Sequence, residues 1–322
     1  MKIVFLGTPD FAVASLDILV KNKFDIVGVI TAPDKPAGRG MKLQQSAVKK
    51  YALEAGLKIL QPSNLKDENF ITELKSLNAD LQVIVAFRML PKVVWSMPEK
   101  GTFNLHGSLL PDYRGAAPIN WAIMNGEKET GVSTFYLDDK IDTGEIIENT
   151  KTSISENETA GELHDRLMNL GAELVLKTIK KIQTGTVLTK SQDSILNGRS
   201  PKLAYKIFKD NSKIDWYKDA SEVHNHIRGL SPHPTAHASI RYPNGKTLGL
   251  KIFKSEILKE DNIDITLQDL APGEIKTDGK KNLVIGCGKG AVKIKTLQLA
   301  GKKKMDTVSF LSGTSLEGGY II

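Results

Sequence analysis

The chain has 322 residues, 40% hydrophobic and 25% charged, which is the balance of a globular enzyme with two domains rather than one. A single cysteine excludes a disulfide framework and a Cys-rich metal site, and Cys287, in an apolar run, reads as a small buried filler. The opening "MKIVFLGTPDF" is too short for a signal segment and no run approaches the ~18 apolar residues of a membrane span, so a cytoplasmic protein is expected.

The net charge is +7, and from Lys206 onward 19 Lys and Arg face 13 Asp and Glu, leaving the first 205 residues near neutral. A basic second part points either to a polyanionic partner or to a solubility surface.

In chain order, "KIVFLG" predicts a strand, and "TPDFAVASLDILVKNK" a helix with Thr8 at the N-cap and Pro9 at the first helical position. "DIVGVIT" predicts a second strand. In the loop that follows, Pro33, Pro36, Gly38 and Gly40 discourage helix and strand over ~15 residues, while Lys35, Arg39 and Lys42 make it cationic. Such a loop suits an RNA end, pairing phosphates by charge and stacking a guanidinium on bases; the plainer alternative is a solvated loop. "SAVKKYALEAG" is a helix stopped by Gly56. "LQVIVAF" is a continuously apolar strand, as a parallel strand covered on both faces should be. "GTFNLH", "GVSTFYL" and "GEIIENT" supply further strands, "APINWAIMNG" a helix capped by Gly126, and the region from Thr159 to Thr184 a long helix. This alternation predicts an α/β domain over 1–188, a doubly wound Rossmann-like parallel sheet with its ligand beyond the carboxyl ends of the strands.

The polar stretch at 189–205 reads as a linker. Beyond it, over 206–322, an amphipathic helix near "ASEVHNHIRGL" precedes the short strands "HASIRY", "LGLKIFKSE" and "NLVIGCGKGAVKIKTLQL", a spacing that predicts a small OB-like β-barrel. In "AVKIKTLQL", Val292 and Ile294 face one way and Lys293 and Lys295 the other, with Lys302, Lys303 and Lys304 following. A lysine-studded barrel fits RNA, although charge runs are commonly solvated faces.

No cofactor loop is present in the sequence. The first strand-to-helix turn reads "GTPDFA", with one glycine where a dinucleotide fold needs G-x-G-x-x-G, and there is no phosphate loop and no H-E-x-x-H helix. His224, His226, His233 and His237 lack the carboxylate and cysteine context of a metal site.

The stretch "FNLHGSLLPDYRGAAPINW" carries the chemistry. Strand alternation puts Asn104 and His106 on one face, at a carboxyl end. A neutral donor beside a titratable ring suits a carbonyl carbon passing through an oxyanion. An orienting carboxylate is then needed, and "YLDDKIDTGEII" offers Asp138, Asp139 and Asp142, among which spacing does not choose.

"NLHGSLLPDYRGAAPINW", followed by "ETGV" and "DTGEII", resembles the catalytic core of the 10-formyltetrahydrofolate-dependent formyltransferases. The resemblance implies a catalytic trio at Asn104, His106 and Asp142, and a folate-binding motif at Ser108, Leu109, Leu110 and Pro111. It further implies a pterin pocket lined by Phe87, Arg88, Met89 and Leu90, in a segment one residue shorter than in many relatives. It implies 10-formyltetrahydrofolate as formyl-donating co-substrate, with no metal and no nucleotide cofactor. Gly107 departs from the glycinamide ribonucleotide branch, which usually carries H-P-S-L-L-P; sugar-nucleotide formyltransferases share H-G-S-L-L-P and stay open on that motif. "GTPDFA", "APDKPAGRGMKLQQSAVK" and "LQLAGKKKMDTVSFLSG" resemble the branch acting on methionyl-tRNA. That likeness implies an initiator tRNA partner, its acceptor stem met by Lys35, Arg39 and Lys42 and by the barrel lysines, and no membrane partner. An RNA-binding module with an inactive core is the remaining alternative.

Overall fold

The structure, a computed structural model, describes residues 1–37, 41–242, 244–258, 270–316 and 319–322. Its contacts divide the chain into two units, the first made of Met1–Pro118, Thr130–Thr152 and His164–Leu203.

The chain begins with β1 (Lys2–Gly7), α1 (Asp10–Lys21) and β2 (Asp25–Ile30), then β3 (Lys35–Ala37) and β4 (Lys42–Gln44). Next come α2 (Ala47–Glu54), β5 (Ile59–Leu60), α3 (Glu68–Ser76), β6 (Leu81–Val85), α4 (Lys92–Trp95), β7 (Thr102–His106) and β8 (Arg114–Gly115). After α5 (Pro118–Met124) follow β9 (Glu129–Tyr136), β10 (Ile146–Ser153), α6 (Ala160–Thr184), α7 (Gln192–Leu196) and β11 (Leu203–Ala204).

The main sheet has the order β10-β9-β7-β6-β1-β2-β5. Its middle is parallel, with Phe5 opposite Val83 and Val83 opposite Phe103. Every residue of β6 is buried, as a strand covered on both faces requires. On one face Leu6, Ile30 and Ile84 pack with Phe70 and Leu74 of α3. Burying each of those two side chains stabilises the unit by about 1.5–3 kcal/mol.

Four expectations are corrected. The sheet is not parallel throughout, because β9 pairs antiparallel with β7. Helix α1 starts at Asp10 with Pro9 in the cap position, one residue later than a Thr8 cap requires. The basic loop is a hairpin, with Lys35 opposite Gln44 and Pro36 opposite Leu43; a two-stranded ribbon has two edges, where a proline without an N–H is tolerated. Arg39 lies outside the described residues. Lastly, the stretch read as a linker is built into the first unit as far as Leu203, through α7 and a bridge between Ile146 and Lys190.

The second unit comprises Ile119–Glu129, Ser153–Leu163 and Ala204–Ile322. Helix α8 (Ala220–Gly229) opens with a capping box of Asp219 and Glu222. Strands β12 (Ala236–Arg241), β13 (Thr247–Ile257), β14 (Ile275–Thr277), β15 (Leu283–Gly286), β16 (Ala291–Leu299), β17 (Met305–Asp306) and β18 (Tyr320–Ile321) form one sheet, with α9 (Thr307–Leu311) before the last. The order is β14-β15-β16-β13-β12-β18, with β17 added against β16. A bridge between Glu274 and Tyr320, and an Ile321 N–H donated to the Gly273 carbonyl at 2.8 Å, draw the two ends together into a nearly closed antiparallel barrel.

Its interior holds Ile227, Ile240, Ile252, Ile285, Val292, Ile294, Leu297 and Phe310. Cys287 is buried with them, and burial pushes its thiol up to about 12. Among the described residues, no helix is long and apolar enough to cross a membrane.

Candidate active site

Parallel pairing brings Gly7, Val85 and Leu105 into line, so the segments that leave β6 and β7 emerge at the same edge of the sheet. His106, the last residue of β7, lies opposite Ser133 of β9 and is 6% exposed. Its Nε2–H donates to the Tyr113 carbonyl at 2.8 Å. A carbonyl only accepts, so this bond keeps a hydrogen on Nε2 and leaves Nδ1 as the nitrogen that gains and loses a proton. Nδ1 lies 3.9 Å from Asp142 Oδ2. The ring meets Phe135 edge-on at 6.5 Å, which fixes its plane.

Asn104 stands two residues earlier on β7, opposite Phe135. Its side-chain Oδ1 is buried with no hydrogen-bond partner among the described residues.

Asp142 reaches His106 by folding back along β7. Because β9 runs antiparallel to β7, its last residue, Tyr136, sits opposite Phe103, three residues back from His106. The connection to β10 must therefore double back by about 10 Å along β7. Two backbone features allow it. Asp142 adopts a left-handed conformation, with φ 54°, and Gly144 lies so close to the Tyr136 carbonyl oxygen that a Cβ would meet it at 1.7 Å. The returned Asp142 Oδ2 accepts the Gly115 N–H at 2.9 Å. The other two aspartates are engaged elsewhere, Asp138 with the Thr143 hydroxyl at 2.8 Å and Asp139 with Lys92 at 3.1 Å.

Ser108 to Pro111 forms a tight turn just beyond His106. The Ser108 hydroxyl donates to the Asp112 carbonyl at 2.7 Å. Ser133 Oγ donates to the Ser108 carbonyl at 2.7 Å and accepts the Leu110 N–H at 3.1 Å. Ser108, Leu110 and Pro111 are buried and Leu109 is half-buried. The next residue, Asp112, takes both terminal nitrogens of Arg199 at 2.7 Å and the Lys202 N–H at 2.9 Å. Burial would raise the Asp112 carboxyl, but the Arg199 and Lys202 hydrogen bonds outweigh it and hold it below the usual carboxylate value.

In the segment after β6, Met89 is 70% exposed, Phe87 is partly buried, and Leu90 is buried in the core against α3 and α4. Arg88 donates to the Ser63 carbonyl at 2.9 Å and also to the Pro62 carbonyl. Lys35 and Lys42 lie on the two strands of the hairpin. On β16, Lys293 and Lys295 alternate with buried Val292 and Ile294, and Lys295 pairs with Glu256 at 3.3 Å. Lys302, Lys303 and Lys304 are exposed; Lys302 Nζ donates to Thr314 Oγ1 at 2.8 Å, and Lys304 covers the Phe253 ring at 4.4 Å. A groove of about 700 Å³ between α1 and α6, lined by Ala14, Ile18, Arg166 and Leu170, contains none of the site residues.

Sequence reasoning missed Ser133, Tyr113, Gly115 and Gln192. The first had a signal: Ser133 and Thr134 break an otherwise apolar strand. Tyr113 and Gly115 act through backbone atoms, on which side-chain type says nothing.

A polar pair at the end of a central strand, faced by a carboxylate from a returning loop, is the frame of an acyl-transfer site. Residues 1–179 match the Formyl transferase family and residues 206–315 match Formyl transferase, C-terminal domain. The chain belongs to the formyl transferase family. Among its relatives, a methionyl-tRNA formyltransferase of Flavobacterium johnsoniae is 53% identical, over 97% of this chain and 96% of its own length. A methionyl-tRNA formyltransferase of Bacteroides fragilis is 49% identical, over 99% and 97%. Among solved structures, WlaRD, a sugar 3N-formyl transferase in the presence of dTDP and 5-N-formyl-THF, superposes with a TM-score of 0.65 at 25% identity, covering 94% of this chain and 99% of that one.

Proposed function

We propose that this chain transfers the formyl group of 10-formyltetrahydrofolate to the α-amine of methionine carried by initiator tRNA. The observation that carries the catalytic part is the approach of the Asp142 carboxylate, on the loop returning from β9, to His106 Nδ1 at 3.9 Å, with Asn104 two residues earlier on the same face of β7. The methionyl-tRNA acceptor is supported by the near-full-length relatives of that name.

The folate lies at the sheet edge where the Phe87–Leu90 and Ser108–Pro111 segments emerge. The amine attacks the formyl carbon and the carbonyl bond opens to an oxyanion, stabilised by the Asn104 amide and by His106. As the carbonyl re-forms, the bond from carbon to the folate nitrogen breaks; that nitrogen gains a proton and the amine loses one. His106 carries the proton at Nδ1, and the Asp142 carboxylate complements the imidazolium formed in passing.

Lys35 and Lys42 of the hairpin, together with Arg39, which lies outside the described residues, and Lys293, Lys295, Lys302, Lys303 and Lys304 of the barrel, meet the phosphates of the acceptor stem. The test is formyl transfer with methionyl-tRNA, glycinamide ribonucleotide and an amino-sugar nucleotide offered as competing acceptors. Product on methionyl-tRNA is expected. Product on the sugar nucleotide alone, or tRNA binding without transfer, would overturn the reading.

A further inference from the structure

We propose that Gln192, in the stretch between the two family domains, is a positioning residue that sets the catalytic carboxylate of Asp142. The inference rests on the catalytic reading of Asp142 given above. Gln192 is 2% exposed, at the first position of α7. Its Nε2 donates to two carbonyls of the returning loop, Asp142 O at 2.9 Å and Gly144 O at 2.7 Å. Its Oε1 accepts from Arg114 Nε at 2.9 Å.

The three bonds fix the amide's orientation without ambiguity. An arginine only donates and a carbonyl only accepts, so the oxygen must face Arg114 and both amide hydrogens must face the loop. Among near-isosteric side chains, Glu keeps the acceptor but loses both donors, and Met loses all three bonds.

The placement matters because it acts on the backbone of the returning loop at residue 142 itself. It doubles back along β7 with Asp142 in a left-handed conformation, and its carboxylate accepts the Gly115 N–H at the tip. Gly115 directly follows Arg114, so one glutamine holds the backbone of residue 142 from below while also bonding the residue before the backbone amide that holds its side chain. Released from Gln192, the carboxylate keeps its tether but loses its distance and angle to His106 Nδ1.

The test uses the full-length enzyme with Gln192→Met and Gln192→Glu. Both should lower kcat by about 100-fold, the cost of a misplacement near 1 Å, with KM for folate and for methionyl-tRNA within about twofold of the parent. A general loss of folding would lower the amount of active enzyme and leave the pH profile unchanged; lost positioning alters the profile of kcat. The Gln192→Met change is then added to Asp142→Asn, where it should cost no more than about twofold, since a positioning residue has nothing left to position. An undiminished kcat in Gln192→Met, or the same fold-loss in both backgrounds, overturns the proposal while leaving the catalytic trio standing. Full activity in Asp142→Asn alone removes the trio, and this inference with it.

Discussion

Oδ2 of Asp142 serves two neighbours at once: it accepts the Gly115 N–H at 2.9 Å and faces His106 Nδ1 at 3.9 Å. The short contact anchors the carboxylate, and the longer one is beyond hydrogen-bond distance; in the proposed reaction His106 carries the proton. Replacing His106 by Ala should therefore lower kcat by about 10²–10⁴-fold, with a near-normal thermal midpoint and folate affinity. A variant of normal rate in single-turnover assays would sink the assignment.

Gly144→Ala probes the loop without touching a reacting group. The added methyl would meet the Tyr136 carbonyl oxygen at 1.7 Å, so the loop must shift. Overpacking of this kind costs about 1–3 kcal/mol. Activity should fall by a larger factor than the midpoint of thermal unfolding would explain, and measuring both on the same preparation checks it.

Acid stability has a local component in the second unit. The Thr159 N–H and Lys254 hold the Glu162 carboxyl down to about 2 from its ordinary 4.5. Its pKa falls on folding, so its stabilisation is complete above 4.5 and fades as the pH drops toward about 2. The gap in thermal midpoint between the parent and Glu162→Gln should be widest near neutrality and close across that interval. Because the pair is half exposed, added salt should narrow the gap at every pH.

The barrel lysines make a counterion prediction. Replacing Lys293 and Lys303 by Ala should weaken tRNA binding and reduce the slope of log K against log salt by about 1 for each phosphate that is no longer neutralised. Filter binding over a salt series reads the slope directly; an unchanged slope means these two lysines meet no phosphate.

Cys287 should resist alkylation while the protein is folded. Its thiol is buried and raised to about 12, so little thiolate exists at mildly alkaline pH. Mass spectrometry after iodoacetamide treatment should find it unmodified in the native protein and modified in denaturant.

The sequence made the strand-borne half of the site legible, because alternation along a strand is a fixed rule: Asn104 and His106 had to share a face. It did not choose among Asp138, Asp139 and Asp142 by spacing, since a returning loop has no period; only the contacts of Asp138 with Thr143 and Asp139 with Lys92 show why those two are unavailable. The direction of β9 was hidden for a similar reason, as "GVSTFYL" is equally apolar read either way. The brace at Gln192 was invisible because a polar, irregular stretch looks the same in composition whether it is a tether or a buried clamp. Helix α3 went unnoticed, its buried positions in nine residues being Phe70 and Leu74. The pairing of β3 with β4 shows the reverse error, a proline and glycine count read as irregularity where a ribbon was possible.

The interleaving of the two units along the chain has a consequence for anyone dissecting the protein. The guanidinium of Arg228 is 2% exposed, and it donates to the carbonyls of Ser155 and Glu158, while the Asn120 side chain reaches the Gly229 carbonyl at 2.7 Å. A fragment begun at residue 206 would take both of those carbonyls from the cation, leaving it the Asn225 amide oxygen at 2.8 Å, and strip α8 of its neighbour at Gly229. Neither half is a cassette to be lifted out with a single pair of primers; the barrel carries pieces of backbone that are translated long before it.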